Sequence, residues 1–216
     1  MENTERYIPA LRFHWLTPLY DPLVHRFMRE DLLRSQLVLE ADILPGMRVL
    51  DLGCGTGTLA ILIKQGHWMS QVYGLDADPQ VLEIAQGKAK QACTGITLDQ
   101  GLAYQLPYPD EWFDRIVTSL VLHHLTTIQK QQAINEVYRV LKPGGKFIAL
   151  DFGVPHGTYS RLIGQIMRRT ERVEDNIRGL LPGMIASAGF DPVAEIGWFA
   201  TLFGSLSIYR ADKQRK

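Results

Sequence analysis

The stretch Val49-Leu50-Asp51-Leu52-Gly53-Cys54-Gly55-Thr56-Gly57 constrains this chain more than any other. An apolar run ends in an acid, passes through a turn with three glycines, and gives way to a helical pattern at Leu59. Glycine accepts left-handed backbone and carries no Cβ, so such a turn bends tightly and lets a ligand approach. A strand that ends this way suits an open α/β sheet, where ligands gather at the carboxyl ends of strands beside a switch point. A dinucleotide fingerprint requires Gly-x-Gly-x-x-Gly, with helix-start N–H groups on a pyrophosphate. Here the third such position is Thr58, and the extra glycine falls one residue early. That spacing favours a nucleoside without phosphates. Asp51 agrees, because a carboxylate beside the loop repels a pyrophosphate and attracts an ammonium group. A tight turn without a ligand is the plainer alternative.

Around this loop, short apolar runs alternate with helical patterns, which predicts a parallel sheet covered by helices on both faces. Strands are expected at Met47–Leu52, Gln71–Asp76, Ile96–Leu98, Phe113–Ser119 and Lys146–Asp151. Helices are expected at Leu59–Gln65, from the Asp78 cap and Pro79 to about Ala92, and at Gln129–Leu141. The last of these gathers Ala133, Ile134, Val137, Val140 and Leu141 on one face and stops at Pro143-Gly144-Gly145. Thr158–Arg169 and Pro182–Ala188 read as helices. Pro192–Trp198 and Leu202–Tyr209 read as a final antiparallel pair, joined by a short connection containing Ala200 and Thr201. Leu19–Ile43 reads as one or two helices outside the sheet, and Arg168–Arg178, with Glu171, Glu174 and Asp175 interleaved, as a solvated helix face. The expected fold is α/β: a doubly wound, mostly parallel seven-stranded sheet with an antiparallel C-terminal strand pair and an N-terminal helical cap. It is expected as one domain over 1–216, with the cap at 1–43, the ligand-binding core at 44–152 and the closing helices and strands at 153–216.

Charge and cysteine usage narrow the partners. Lys plus Arg number 23 and Asp plus Glu number 23, so no overall field draws the chain to a polyanion. With no basic, aromatic-studded extension either, no nucleic-acid partner is expected. Cys54 and Cys93 are the two cysteines, too few for a disulfide framework or a four-thiolate zinc site. No metal is expected, and a reducing, cytoplasmic setting is. The opening MENTERYIPALRFHWL lacks the basic and apolar pattern of a signal peptide, and apolar stretches such as Ile116–Leu122 are too short to cross a bilayer. No stable membrane anchor is therefore expected.

Asp76 ends the second strand, where an acid can accept hydrogen bonds from both hydroxyls of a ribose; a strand-end or capping carboxylate is the alternative. Four segments then fall in order between about Pro45 and Asp151: VLDLGCGTG at 49–57, GLDADP at 74–79, QLPYPDEWFD at 105–114 and VLKPGG at 140–145. Together they resemble the motifs of class I S-adenosylmethionine-dependent methyltransferases, and are most similar to the ubiquinone/menaquinone C-methyltransferase group. The resemblance implies a Rossmann-like α/β domain that moves a methyl group from S-adenosylmethionine to a small apolar or aromatic acceptor, leaving S-adenosylhomocysteine. It implies that the methionine part of the cofactor lies near Asp51, Gly53 and Gly55, faced by the backbone of Ser119 and Leu120. It places the ribose at Asp76 and the adenine beside Ala77 and the loop Gly101-Leu102-Ala103. Many relatives carry Gly-Asp-Ala in that loop; Leu102 lacks the carboxylate, which leaves adenine to backbone groups and apolar contact. Tyr20-Asp21 resembles an N-terminal pair whose tyrosine closes over the cofactor, with simple helix packing an equal alternative for Tyr20.

Methyl transfer from a sulfonium is an in-line displacement with an activated donor, so positioning does much of the work, supplying about 7–11 kcal/mol when alignment is good. A phenol, amine or enol acceptor also sheds a proton. His123 and His124 follow the fourth strand at the lip of the expected site, and an imidazole serves as a base near neutral pH. Adjacent rings point differently, so at most one faces the acceptor. Asp151, ending the fifth strand, is the next candidate, and the expectation is that His124 or Asp151 assists deprotonation. Capping and packing are the alternatives for the histidines. Phe13, Trp15, Tyr20, Tyr159, Trp198 and Phe199 can line an apolar acceptor pocket or pack the core. Two other functions compete: a non-catalytic binding or interaction module of the same fold, favoured by Leu102, and an NAD(P)-dependent oxidoreductase, opposed by Thr58 and Asp51.

Overall fold

Successive side chains of β1 (Arg48–Leu52) point to opposite faces, and both faces are apolar. Val49 enters one buried cluster while Leu50 and Leu52 enter another. A strand buried on both sides needs a helical layer above and below. The computed structural model, which describes residues 30–157, 160 and 173–215, supplies both layers. Its other strands are β2 (Gln71–Asp76), β3 (Thr97–Gln100), β4 (Phe113–Ser119), β5 (Leu141–Phe152), β6 (Val193–Thr201) and β7 (Gly204–Asp212). They form one seven-stranded sheet in the order β3-β2-β1-β4-β5-β7-β6. The first five run parallel, and β7 is antiparallel to both β5 and β6, as the sequence predicts.

Helices α1 (Glu30–Ala41) and α2 (Thr58–Gly66) cover one face: Leu33, Leu37, Leu59, Ala60 and Ile63 pack on Val49, Val117 and Ile148. The other face is covered by α4 (Thr127–Val140) and α6 (Leu181–Ser187), whose Ile134, Val137, Val140 and Ile185 pack on Leu50, Ile116 and Phe147. Helix α3 (Pro79–Gln91) starts where expected, with the Asp78 carboxylate accepting from Gln80 N and proline in the first turn. The short α5 (Glu174–Ile177) precedes α6. No described helix is long and apolar enough to cross a membrane.

Several boundaries differ from the sequence expectation for identifiable reasons. Helix α4 starts earlier, at Thr127, because Thr126 and Gln129 close a reciprocal capping box. Pro143-Gly144-Gly145 does not separate α4 from β5; it is a bulge inside the strand, since Leu141 already pairs with Phe113 and Lys146 with Arg115. The last hairpin turns at Leu202-Phe203, not at Ala200-Thr201, because Thr201 Oγ1 receives Phe203 N and donates to Gly204 O. The described part of the segment read as a solvated helix face, 173–178, has two sides: Glu174 and Arg178 are exposed and paired at 2.7 Å, as that reading expects, while Val173, Asn176 and Ile177 are inaccessible or nearly so. Leu19–Arg29 of the expected cap, and the expected helix Thr158–Arg169 apart from Ser160, lie outside the described residues.

A buried arginine ties α1 to the sheet. Arg115 of β4 donates from Nε to Ala41 O at 2.6 Å and from its other nitrogens to Asp114 O and Asp42 O. It thereby satisfies carbonyls that the end of α1 leaves open. Arg115→Met is expected to cost about 2–4 kcal/mol, because the carbonyl of the inaccessible Ala41 loses its donor and the two part-buried ones lose theirs. Urea unfolding followed by circular dichroism measures it; a loss within experimental error would mean that the apolar face of α1 alone does the docking.

Candidate functional site

Parallel pairing brings the strand ends together. Leu52 aligns with Leu75 on one side and Thr118 on the other, and Ser119 aligns with Leu150. Asp51, Asp76, Ser119 and Asp151 thus share the carboxyl edge of the sheet. β1 sits between β2 and β4, so the sheet winds in opposite directions from it, and the glycine loop leaves the sheet at the switch point.

The loop turns its N–H groups inward. Gly53 N and Cys54 N both donate to Leu75 O, Gly57 N donates to Cys54 O, and Gly55 N donates to the Asp76 carboxylate at 2.8 Å. Four donors of the kind that hold a pyrophosphate in dinucleotide folds are therefore already used. Gly53 has φ +70, and a Cβ placed on it would stand 2.4 Å from Val121 Cγ2. Gly55 has φ +51, and a Cβ there would meet nothing within 4 Å, so open space lies above it. Lys88 of α3 ties the loop down by donating to Thr56 Oγ1 and Thr58 Oγ1. The Cys54 thiol is buried against Gly74, and burial pushes its pKa up, which makes it unreactive.

Asp51 is buried, and its Oδ2 meets no hydrogen-bond donor among the described residues. Burial pushes its pKa up to about 7, against the Ala60 N–H and the Arg34 charge and with some help from Asp76. A buried carboxyl without a full set of donors is costly, and a cationic ligand group relieves that cost. Asp76 is half-buried; one oxygen accepts from Gly55 N and the other from Asp78 N, and each keeps lone-pair capacity. Ala77 is held by Gln100, whose amide donates to Ala77 O. Gly101 N donates to Asp76 O, and Leu102 and Gln105 close a one-pair bridge, so the loop around Gly101-Leu102-Ala103 stands next to Asp76. These residues fit a small ribose-bearing cation: an under-satisfied buried carboxyl, an open space over Gly55 and a second acid beyond it.

Across the edge lies a second polar group. Asp151 is fully buried, and His123, in the 3-10 turn after β4, places Nδ1 2.9 Å from Asp151 Oδ1. Asn176 of α5 donates its amide to the same oxygen at 3.0 Å. His124 is exposed on one edge, yet the protein around the rest of its ring disfavours the imidazolium and His123 adds to this, pushing its pKa down to about 4. The two rings are 3.9 Å apart and tilted by 44°. Leu120 has φ +60 and donates its N–H to Leu150 O, so its backbone donor is taken up by the sheet.

Of the aromatic candidates, Trp198 stacks on His156 and Phe199 packs against the core; Phe13, Trp15, Tyr20 and Tyr159 lie outside the described residues. Sequence reasoning passed over Val121, which walls the loop, and Asn176. The signal for Asn176 was present: Val173 and Ile177, four apart, bracket it on one helical face.

Comparison with known proteins agrees with this geometry. A family model described as a methyltransferase domain matches residues 49–145. An uncharacterized methyltransferase of Synechocystis sp. is 44% identical over 121 residues, covering 56% of this chain and 54% of the relative. The 2-phytyl-1,4-naphtoquinone methyltransferase of Synechococcus elongatus is 34% identical over 161 residues, covering 72% of this chain and 67% of the relative. Phosphoethanolamine N-methyltransferase 2 of Haemonchus contortus, solved in complex with S-adenosyl-L-methionine, shares the fold with a TM-score of 0.67 at 18% identity, over 84% of this chain and 52% of that one. The chain spans about half to two thirds of the length of the curated relatives it matches.

Proposed function

The chain belongs to the class I S-adenosylmethionine-dependent methyltransferases, and from that premise we propose that it transfers a methyl group from S-adenosylmethionine to a small apolar acceptor of the quinone class. The observation that carries the cofactor reading is the pair of carboxylates, Asp51 and Asp76, flanking a glycine loop whose N–H groups are turned inward. Such a site repels phosphates and takes a ligand with an ammonium group and a ribose. In this reading Asp51 receives the ammonium, and Gly53, Gly55 and the backbone of Ser119 and Leu120 border the methionine part. Asp76 receives the ribose hydroxyls, and Ala77, Gly101, Leu102 and Ala103 border the adenine. When bound, the sulfonium supplies a methyl group already activated for displacement. The acceptor class follows the naphthoquinone named for the Synechococcus relative.

Calorimetric titration with S-adenosylhomocysteine tests the reading. The wild type is expected to bind with about micromolar affinity, and NAD to give no heat. Asp76→Ala is expected to weaken binding at least about tenfold, since one hydrogen bond to a charged acceptor is worth about 1.5–3 kcal/mol. Binding of NAD alone would point to an oxidoreductase. Binding of neither would turn the chain into an interaction module that kept the fold.

A further inference from the structure

We infer that His123, held in place by Asp151 and Asn176, is the base that takes a proton from the acceptor, and that the acceptor is a phenol, hydroquinone or enol. This rests on the methyltransferase reading and names the residue and substrate class its chemistry needs. Asp151 has no exposed surface, and its carboxylate gathers four contacts: His123 N at 3.3 Å, His123 Nδ1 at 2.9 Å, Phe152 N at 2.7 Å and Asn176 Nδ2 at 3.0 Å. Burial alone would raise its pKa, but the neighbouring His123 ring and the Phe152 N–H outweigh burial and hold it below the usual carboxylate range. An ionised carboxylate only accepts, so His123 Nδ1 carries the hydrogen and the lone pair of the neutral ring sits on Nε2. Nε2 has no hydrogen-bond partner among the described residues, and it is not sealed from the surface.

The ring is fixed for that task. Phe152 meets it edge-on with centroids 4.9 Å apart, and His124 lies against it. Val121, two residues earlier, presses on Gly53, which sets the 3-10 turn beside the loop where the methionine part is expected. Among the described residues, the titratable groups facing the ring are Asp151 from β5 and His124 from its own turn. Asp175 of α5 is turned away, onto Lys130 Nζ at 3.1 Å and Thr127 Oγ1 at 2.8 Å, and so clamps α5 with Asn176 over Asp151. The sequence expectation of His124 or Asp151 as the base gives way to their neighbour. Asp151 is committed to its donors, and His124, with a pKa near 4, is a weak base.

In the reaction the acceptor's O–H proton passes to His123 Nε2. The freed pair, on oxygen or on the conjugated carbon, forms the bond to the methyl carbon, while the carbon–sulfur pair stays on sulfur. The imidazolium then returns its proton to water. Asp151 stabilises the imidazolium and Asn176 keeps Asp151 aimed, the positioning logic of an acid behind a histidine.

The test is methyl transfer under anaerobic conditions to three probes, 1,4-naphthohydroquinone, 1-naphthol and a cyclic β-diketone, from pH 5.5 to 9. Wild type, His123→Gln, His124→Gln and Asn176→Ala are compared, with S-adenosylhomocysteine titration of each. His123→Gln is expected to lower kcat by about 10²–10⁴-fold at pH 7 with the naphthol and the hydroquinone, but little with the diketone, which is already an enolate at that pH, and to leave cofactor affinity unchanged. The deficit should shrink at high pH, where the acceptor ionises unaided, and with added imidazole. Asn176→Ala is expected to lower kcat severalfold and displace the rising limb of the profile; His124→Gln is expected to leave the limb in place. Equal turnover of His123→Gln and wild type across the range with the naphthol and the hydroquinone would overturn the inference. So would a wild type that binds S-adenosylhomocysteine yet methylates none of the three probes, an outcome that leaves the methyltransferase reading standing. Failure to bind S-adenosylhomocysteine would overturn that reading itself.

Discussion

Gly53→Ala is expected to destabilise the protein by about 2–5 kcal/mol and to weaken S-adenosylhomocysteine binding by about a hundredfold. Two separate costs add. The residue sits at φ +70, a left-handed conformation that costs an alanine about 1–2 kcal/mol. The new methyl group would also stand 2.4 Å from Val121 Cγ2 and 2.8 Å from Cγ1, far inside contact distance. Because Val121 opens the 3-10 turn that carries His123, the chain can relieve this overlap only by moving the turn, the loop or both. A shift of about 1 Å in groups that align reactants is enough for the loss of function. The costs separate in a double variant. Gly53→Ala with Val121→Ala removes the Cγ atoms but keeps the backbone strain, so it should regain the steric part, about 1–3 kcal/mol, measured from urea midpoints. A double variant no better than Gly53→Ala would place the whole penalty in the backbone.

The same residues mark where the sequence is legible and where it is not. Gly53, Gly55, Asp51 and Asp76 lie within one strand–turn–helix and the end of the next strand, so short-range pattern is enough to name them. The parallel sheet and its antiparallel ending are legible for the same reason, since each strand is a continuous apolar run between turn signals. The hairpin at Leu202-Phe203 is not, because its turn is held by the Thr201 hydroxyl while its two turn residues are apolar and read as strand. Nor is the partnership of His123 with Asp151. It spans 28 residues and exists only because β4 and β5 pair in a register that puts Ser119 beside Leu150. For Asn176 local pattern offers only its apolar flanks, Val173 and Ile177; the carboxylate it meets lies 25 residues away on β5, and the Asp175–Lys130 pair holds α5 there. Chain-local chemistry is readable before the fold; chemistry assembled across strands is readable only after it.

Asp51→Asn is expected to make the protein more stable above neutral pH while weakening cofactor binding. The Asp51 carboxyl titrates near pH 7 in the folded chain against an ordinary 3.8, chiefly because it is buried. Between those values the folded chain holds a proton that the unfolded chain has lost. Stability therefore falls as pH rises from about 4 to about 7 and is level beyond, a total loss of about 4 kcal/mol from this group. Asparagine has no charge to bury and removes the slope. The comparison is urea unfolding of both proteins at pH 5 and 7.5, where the difference between them isolates this residue from other titrating groups. Ligand binding should reverse the balance. An ammonium group beside Asp51 favours the ionised carboxylate, so binding near pH 6 to 7 releases a proton. S-adenosylhomocysteine affinity of the wild type should then rise by up to about tenfold per pH unit below 7 and flatten above it. Calorimetry in phosphate and in Tris reads the released proton directly, because the two buffers take it up with different heats. Asp51→Asn should bind more weakly, with no proton released and no slope. A wild type whose stability matches that of Asp51→Asn at both pH values, and whose binding heat is the same in both buffers, would mean that Asp51 is ionised at its ordinary pKa. The loop would then have to recognise the ammonium elsewhere.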